Sequence, residues 1–217
     1  MRETISVNNV GTNTPEHWQQ KHINEYGVNE PYDFSQIPNS PLSYHKVASD
    51  IIKTNQDDFK NKSMLEIGCA IGYFCSYMKR YIIPSWNIVG WDFSKSGIDA
   101  AREKNKDIKE GLTFEIRDIL ETPVKDDYGL ICVFETIEHI EEGTNYKLLD
   151  QWLEHCEYMI LSTVDTEDDC NGEHISHYKL DTFTKKGYDV LWNTELAPIN
   201  MPNGIYHYIM FLLRGKL

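Results

Sequence analysis

The run from Met64 to Phe74 constrains the fold of this chain more than any other segment. Met64 to Ile67 has the character of a buried strand, and a turn of small residues and a helix start follow it. In α/β proteins, a strand that enters a glycine turn below a helix N-terminus is a common place to hold a cofactor. Gly68 and Gly72 allow close approach of a ligand and positive φ. The segment therefore predicts a cofactor site.

The composition of the turn indicates which kind of cofactor fits. The dinucleotide pattern G-x-G-x-x-G needs glycine at position 73, where Tyr73 stands, and no G-x-x-x-x-G-K-[ST] motif occurs. Glu66 comes just before the turn, so a phosphate cradle is disfavoured and a ligand with positive charge is favoured. An NAD-dependent dehydrogenase is therefore a weaker alternative.

Two further predicted strands also end in an acid. Ile88 to Trp91 precedes Asp92, and the alternating apolar residues of 112–116 precede Asp118. Ligands of open α/β sheets lie at the carboxyl ends of the strands, and an acid about 20 residues past the glycine turn is placed to bind a ribose. Asp92 could alternatively cap the next helix, but Ser94 is the better N-cap for a helix over Lys95–Lys106. Asp118 could alternatively be a turn residue.

A fourth predicted strand, Leu130 to Phe134, is apolar throughout, as expected for a central parallel strand that is buried on both faces. It is followed by Glu135-Thr-Ile-Glu138-His139. Strand and helix patterns alternate from Lys62 to about Leu161, and this alternation predicts an α/β fold with a parallel sheet.

Residues Leu65–Gly72 resemble motif I of the class I S-adenosylmethionine-dependent methyltransferases, [D/E]-x-G-x-G-x-G, with Ala70 at the middle glycine. The resemblance implies a Rossmann-like, seven-stranded, mostly parallel sheet of order 3-2-1-4-5-7-6. The last strand of that sheet is antiparallel, and helices cover both faces. It also implies an enzyme of the small-molecule type with S-adenosyl-L-methionine as cofactor.

The resemblance implies roles for individual residues. Asp92 would bind the ribose hydroxyls, Asp118 the adenine amino group and Ile119 the ring, while Phe134 and Glu135 would lie near the methionine part. The predicted cofactor-binding residues are Glu66, Gly68, Cys69, Ala70, Gly72, Tyr73, Phe74, Asp92, Phe93, Asp118, Ile119, Phe134 and Glu135.

Two histidines are the predicted catalytic residues. His is the usual general base near neutral pH, and His139 follows the fourth strand. His174 lies in Glu173-His-Ile-Ser-His-Tyr178, which is similar to the E-H-x-x-x-[FY] stretch that often walls such active sites. His177 is a weaker candidate. A packing or surface role is the alternative for each.

Two alternative functions remain open, and the first is metal-assisted RNA 2′-O-methylation. A divalent metal could be held by Glu135, Glu138 and His139, with His174 or His177, if 135–139 were helical. RNA 2′-O-methyltransferases that modify small-RNA 3′ ends use a similar set, but E-x-x-E-H also occurs in metal-free relatives, so no metal is predicted. The other alternative is a non-catalytic S-adenosylmethionine-binding protein.

Composition bounds the partners. The 217 residues, 41% of them hydrophobic, fit one large domain, and the net charge of −13 disfavours nucleic acid. We expect a small-molecule acceptor. Five cysteines without C-x-x-C spacing favour a reducing cytoplasm, and no apolar stretch has the length of a membrane span. The oligomeric state and the identity of the acceptor cannot be predicted.

We expect two parts: a helical substrate lid over residues 1–60 and a methyltransferase core over 61–217. Thr14-Pro15 predicts the start of a lid helix, and Trp18, Tyr26, Tyr32 and Phe34 could cover the site. Further predicted elements are helices over Ser43–Asn55, Asn145–His155 and Leu180–Lys186, and strands over Glu157–Ser162, Gly187–Asn193 and Tyr206–Arg214.

Overall fold

The computed structural model describes residues 14–24, 28–35, 37, 43–165, 173–201 and 204–217; Tyr26 and Cys170 lie outside them. A seven-stranded sheet forms the centre, with strand order β3-β2-β1-β4-β5-β9-β6. Its strands are β1 (Ser63–Ile67), β2 (Asn87–Asp92), β3 (Leu112–Ile116), β4 (Tyr128–Phe134), β5 (Cys156–Val164), β6 (Val190–Glu195) and β9 (Tyr208–Arg214). β1 to β5 are parallel, and β9 is antiparallel to both of its neighbours.

The predicted sheet order is therefore confirmed, once a small hairpin is set apart. This hairpin, β7 (Ile199–Met201) and β8 (Gly204–Tyr206), lies between β6 and β9. We did not predict it, because its Pro/Asn/Gly composition indicates a loop.

Helices cover both faces of the sheet. They are α1 (Pro15–Asn24), α2 (Tyr44–Asn55), α3 (Tyr73–Tyr77), α4 (Lys95–Lys104), α5 (Thr144–Leu153) and α6 (Thr182–Lys185), and a π-helical turn, Met78–Ile82, continues α3. Because successive strand residues point to opposite faces, Met64 packs with Ile52 of α2 and Ile98 of α4 on one face. Leu65 packs with Trp152 of α5 on the other.

Three helix starts are capped by hydroxyl side chains: Thr14 and Ser94 were predicted as caps, and Ser43 was not. Ser94 Oγ accepts a hydrogen bond from the Gly97 N–H at 3.2 Å, and Ser43 Oγ accepts one from the Lys46 N–H. Thr14 Oγ1 accepts one from the His17 N–H at 3.2 Å. Ser94 is thus the cap of α4, as predicted.

The segment after β4 differs from the prediction. Ile137–His139 is a single 3₁₀ turn, and Glu135 precedes it with a φ of 45°. The helical face that was to bring Glu135 beside Glu138 and His139 therefore does not exist.

Within the described ranges, no helix combines the length and the apolar character that crossing a membrane requires.

Candidate functional site

The turn after β1 has the left-handed backbone that its small residues permit. Gly68, Ala70 and Gly72 have φ values of 76°, 49° and 75°. Ala70 pays the small steric cost of this region, and its N–H is fixed by a 2.9 Å hydrogen bond to Asp92 Oδ2. The N–H groups of Gly68 and Cys69 both donate to the Trp91 carbonyl at 2.9 Å. The turn is thereby tied to the end of β2.

Both glycines are also required by close packing. A Cβ on Gly68 would lie 2.3 Å from Thr136 Oγ1, and one on Gly72 would lie 2.4 Å from the Phe114 ring. Gly72 forms the N-cap of α3. It therefore brings the helix close to β3.

Glu66 is buried beneath the turn. Its Oε2 accepts hydrogen bonds from the Cys75 N–H at 3.1 Å and from the Cys75 thiol at 2.8 Å. Burial raises the pKa of Glu66 to about 8. A cation in the neighbouring cavity would favour the charged form of this carboxyl; the preference for a positively charged ligand stays a prediction.

Asp92 and Asp118 stand at the ends of β2 and β3. Asp92 Oδ2 faces the turn, and Oδ1 accepts a hydrogen bond from the Ser94 N–H at 2.8 Å. Burial raises the pKa of Asp92 to about 6. Asp118 is half-buried, and its Oδ1 accepts from the Leu120 N–H at 2.9 Å. Each carboxylate oxygen keeps a second acceptor position for a ligand.

One cavity of about 400 Å³ opens at these strand ends. Its wall includes every predicted cofactor residue except Gly72, together with His139, whereas His174 is not part of the wall. The predicted members are Glu66, Gly68, Cys69, Ala70, Tyr73, Phe74, Asp92, Phe93, Asp118, Ile119, Phe134 and Glu135. The carboxyl ends of four parallel strands thus meet at one site.

Other residues of the wall were not predicted. They are Trp18, Tyr44, His45, Ile71, Trp91, Arg117, Leu120, Thr136 and Ile140. Of these, Trp18 alone had been suggested, as a lid aromatic. His45 stacks on Phe74 with ring centroids 5.0 Å apart, and Tyr44 lies 5.5 Å from the ring of Phe134. No local motif marks them, because α2 reaches the cavity only through the tertiary fold.

The two carboxyl groups after β4 are buried close to each other. Glu135 Oε1 accepts a hydrogen bond from Ser162 Oγ at 2.6 Å, and Glu138 Oε2 accepts one from Thr163 Oγ1 at 3.0 Å. Burial, reinforced by the charge of Glu138, holds the pKa of Glu135 well above its usual range. Burial also raises the pKa of Glu138, to about 7.

The two predicted catalytic histidines are neighbours. Their ring centroids are 5.1 Å apart. His139 Nδ1 lies 3.0 Å from the Glu173 carbonyl oxygen. Since a carbonyl only accepts, Nδ1 carries the proton and Nε2 keeps its lone pair. Burial lowers the pKa of His139 to about 4, so its ring is neutral at physiological pH. His177 is exposed.

Helix α1 covers this end of the cavity. The ring of Trp18 contacts His139 edge-on, with centroids 4.9 Å apart. Lys21 Nζ and His17 Nε2 lie 2.6 and 3.1 Å from the carboxylate of Glu173. Trp18 of α1 lies in the cavity wall; the helical substrate lid over residues 1–60 and its boundary stay predictions.

A comparison with known sequence families identifies the relationship. A profile described as "Methyltransferase domain" matches residues 43–199. The chain belongs to the methyltransferase domain family. The predicted membership of the class I S-adenosylmethionine-dependent methyltransferases is confirmed, and so is the cofactor that this class uses.

Relatives support the assignment over part of their length. The chain is 32% identical over 91 residues to norajmaline N-methyltransferase of Rauvolfia serpentina, covering 40% of this chain and 30% of that protein. It is 27% identical over 119 residues to a mitochondrial ubiquinone biosynthesis O-methyltransferase of Candida albicans, covering 52% and 36%. The chain thus matches about a third of the length of these methyltransferases.

A solved structure shares the fold. N-methyltransferase NodS from Bradyrhizobium japonicum, in complex with S-adenosyl-L-homocysteine, superposes with a TM-score of 0.67 at 12% identity. The match covers 92% of this chain and 99% of that one. The predicted α/β fold is confirmed by this likeness and by the strand order.

Proposed function

We propose that this methyltransferase transfers the methyl group of S-adenosylmethionine to an oxygen or nitrogen of a small-molecule acceptor. One observation carries the proposal: acids at the ends of adjacent parallel strands converge on a single cavity beside a tight turn. Both curated relatives carry names that state O- or N-methylation, which supports this reaction class.

The cofactor would lie along the strand ends. Asp92 has acceptor positions left for the ribose hydroxyls, and Asp118 with Ile119 would hold the adenine. Glu66, Phe134 and Glu135 would surround the methionine part. The cofactor carries the electrophilic methyl group, so the protein's task is to align the acceptor and exclude water.

The acceptor would enter beside Trp18, Tyr44, His45 and His139. Burial lowers the pKa of His45 to about 3, and His139 is also neutral at physiological pH. Neither imidazole therefore repels the sulfonium cation of the cofactor. A base with a pKa near 4 takes a hydroxyl proton only weakly, whereas an amine that is already deprotonated needs no base.

His139 keeps its predicted role as the base or an orienting group, and His174 acts through its contact with His139. We expect His139→Ala to lower turnover while the affinity for S-adenosylhomocysteine stays nearly unchanged. The exposed His177→Ala is the matched control. A large loss of cofactor affinity in His139→Ala would place this residue in the cofactor subsite instead.

RNA 2′-O-methylation is a second candidate because Glu138, His139 and His174 lie together. The net charge of −13 opposes binding of a phosphate backbone, so we favour the small acceptor.

The proposed location is the cytoplasm. It is supported by four buried free thiols, Cys69, Cys75, Cys132 and Cys156.

The test is a transfer assay with isotopically labelled S-adenosylmethionine against panels of small alcohols, phenols and amines, with RNA as a separate arm. Labelled product from a small acceptor supports the proposal. Labelled RNA alone would replace it with the second candidate. Cofactor binding without any labelled product would favour a non-catalytic binder.

A further inference from the structure

Three side chains of metal-binding type meet beside the acceptor end of the cavity. One ligand atom from each of Glu138, His139 and His174 lies within 4.8 Å of the other two. Glu138 Oε1 and His139 Nε2 are 4.0 Å apart. Around an ion with bonds of about 2.1 Å, ligand atoms stand roughly 3.0–3.4 Å apart. Adjustments of about 1–2 Å between the ligand atoms would therefore close a site.

Glu138 contributes an oxygen that the described residues leave unsatisfied. Its side chain is fully buried, and Oε2 is bonded to Thr163. Oε1 has no hydrogen-bond partner among the described residues. An unpaired buried carboxylate oxygen is costly and calls for an explanation. A cation beside it would supply the missing partner.

His139 is already oriented as a ligand. Its Nδ1–H donates to the Glu173 carbonyl, so Nε2 presents its lone pair on the side of Glu138. Metal-binding histidines usually have their other ring N–H fixed in this way. Glu173 is in turn held by Lys21 of α1, which ties the orientation to the cover over the cavity.

We propose that Glu138, His139 and His174 bind a divalent transition-metal ion. Two imidazoles with one carboxylate suit ions such as Zn²⁺, Mn²⁺, Fe²⁺ or Co²⁺ better than Mg²⁺ or Ca²⁺, which prefer oxygen ligands. This replaces the sequence-based expectation that no metal is used. Glu135 is not a ligand in this proposal, because its carboxyl is directed to Ser162.

Three protein ligands leave coordination positions for an acceptor oxygen. This consequence rests on the proposed function. An acceptor hydroxyl on the ion would release its proton to water more readily. The oxygen would then bond to the methyl carbon as the carbon–sulfur bond breaks, leaving S-adenosylhomocysteine. In this proposal His139 Nε2 is a ligand of the ion and no longer the base, so the ion supplies the activation of the hydroxyl, and it favours oxygen acceptors.

A proton shared between Glu135 and Glu138 is the competing explanation of the unpaired oxygen, and substitution separates the two. Glu138→Gln removes the charged ligand. Glu135→Gln removes the proton-sharing partner and leaves the three proposed ligands in place. His174→Ala removes an imidazole, and His177→Ala is its exposed control.

The experiment is a titration of the full chain, stripped with a chelator, with Co²⁺ followed by absorption and with Mn²⁺ followed by electron paramagnetic resonance. We expect saturable 1:1 binding, weakened in Glu138→Gln and His174→Ala by at least the roughly 10- to 100-fold that loss of an outer-shell partner of a metal ligand typically costs. We expect little change in Glu135→Gln and His177→Ala. Circular dichroism establishes that each variant is folded.

Absence of saturable Co²⁺ or Mn²⁺ binding to the unsubstituted chain would overturn the proposal. This result does not depend on whether the variants fold. So would equal affinity in folded Glu138→Gln and His177→Ala. Titration of the stripped chain with S-adenosylhomocysteine distinguishes this failure from that of the proposed function. Cofactor binding without metal binding removes only the metal site, and metal binding without cofactor binding removes the proposed function.

Discussion

Replacing Asp92 with asparagine should weaken binding of S-adenosylhomocysteine by about 10- to 150-fold. The carboxylate oxygens already accept hydrogen bonds from the N–H groups of Ala70 and Ser94, and each has one position left for a ribose hydroxyl. Asparagine presents only one oxygen, so one charged acceptor is lost. Such a hydrogen bond is worth about 1.5–3 kcal/mol, and each 1.4 kcal/mol is about tenfold in affinity.

The assay is calorimetric titration with S-adenosylhomocysteine, which avoids turnover. Asp99→Asn is the matched control, because Asp99 is an exposed aspartate of α4 that pairs with Lys95 on the helix surface. Thermal unfolding establishes that both variants are folded. If Asp92→Asn binds as tightly as Asp99→Asn, the ribose role of Asp92 is refuted.

Three further results are expected. Because the pKa of Asp92 is about 6 and the ligand favours its charged form, the dissociation constant for S-adenosylhomocysteine should rise toward tenfold per pH unit below about 6. Asp92→Asn should make that profile shallower, because Glu66 still titrates; an equal slope in the variant contradicts the reasoning. Gly72→Ala should destabilise the fold by about 2–4 kcal/mol in urea unfolding, from strained φ and overpacking. Gly187→Ala, which shares positive φ but has open space, should cost less, and equal losses would exclude the Phe114 contact as a cause. For Glu66, burial raises the pKa from its ordinary value of 4.5 to about 8 in the folded protein. The protonated Glu66 carboxyl therefore adds to the free energy of unfolding. This contribution is complete below pH 4.5 and is lost as the pH rises through about 8, and the loss amounts to up to about 5 kcal/mol. Glu66→Gln should remove this loss, and an unchanged pH profile of unfolding would contradict the account.

The strands and most of the predicted residues of the cavity wall could be predicted because their signals are local. A strand, a small-residue turn and a helix start follow one another in Met64–Phe74, and the burial of every residue of β4 follows from its continuous apolar run. Parallel strands align their carboxyl ends, so Glu66, Asp92 and Asp118 could be assigned to one site before any contact was known.

The acceptor side could not be predicted in the same way. Tyr44 and His45 reach the cavity because α2 packs on the sheet, and no spacing in 44–55 indicates this. The metal alternative required a helix over 135–139, but Glu135 has a positive φ and only a short 3₁₀ turn follows it. The position of the Glu138 carboxyl is fixed by Thr163 of β5, which is distant in sequence, so its unpaired oxygen could not be predicted.

The central claim is that the cavity at the strand ends holds S-adenosylmethionine. It is tested most directly by calorimetric titration of the metal-stripped, unsubstituted chain with S-adenosylhomocysteine. The account predicts 1:1 binding with a micromolar dissociation constant in the absence of metal. No saturable binding, with or without added Mn²⁺, would contradict it, and nicotinamide dinucleotides would then be titrated.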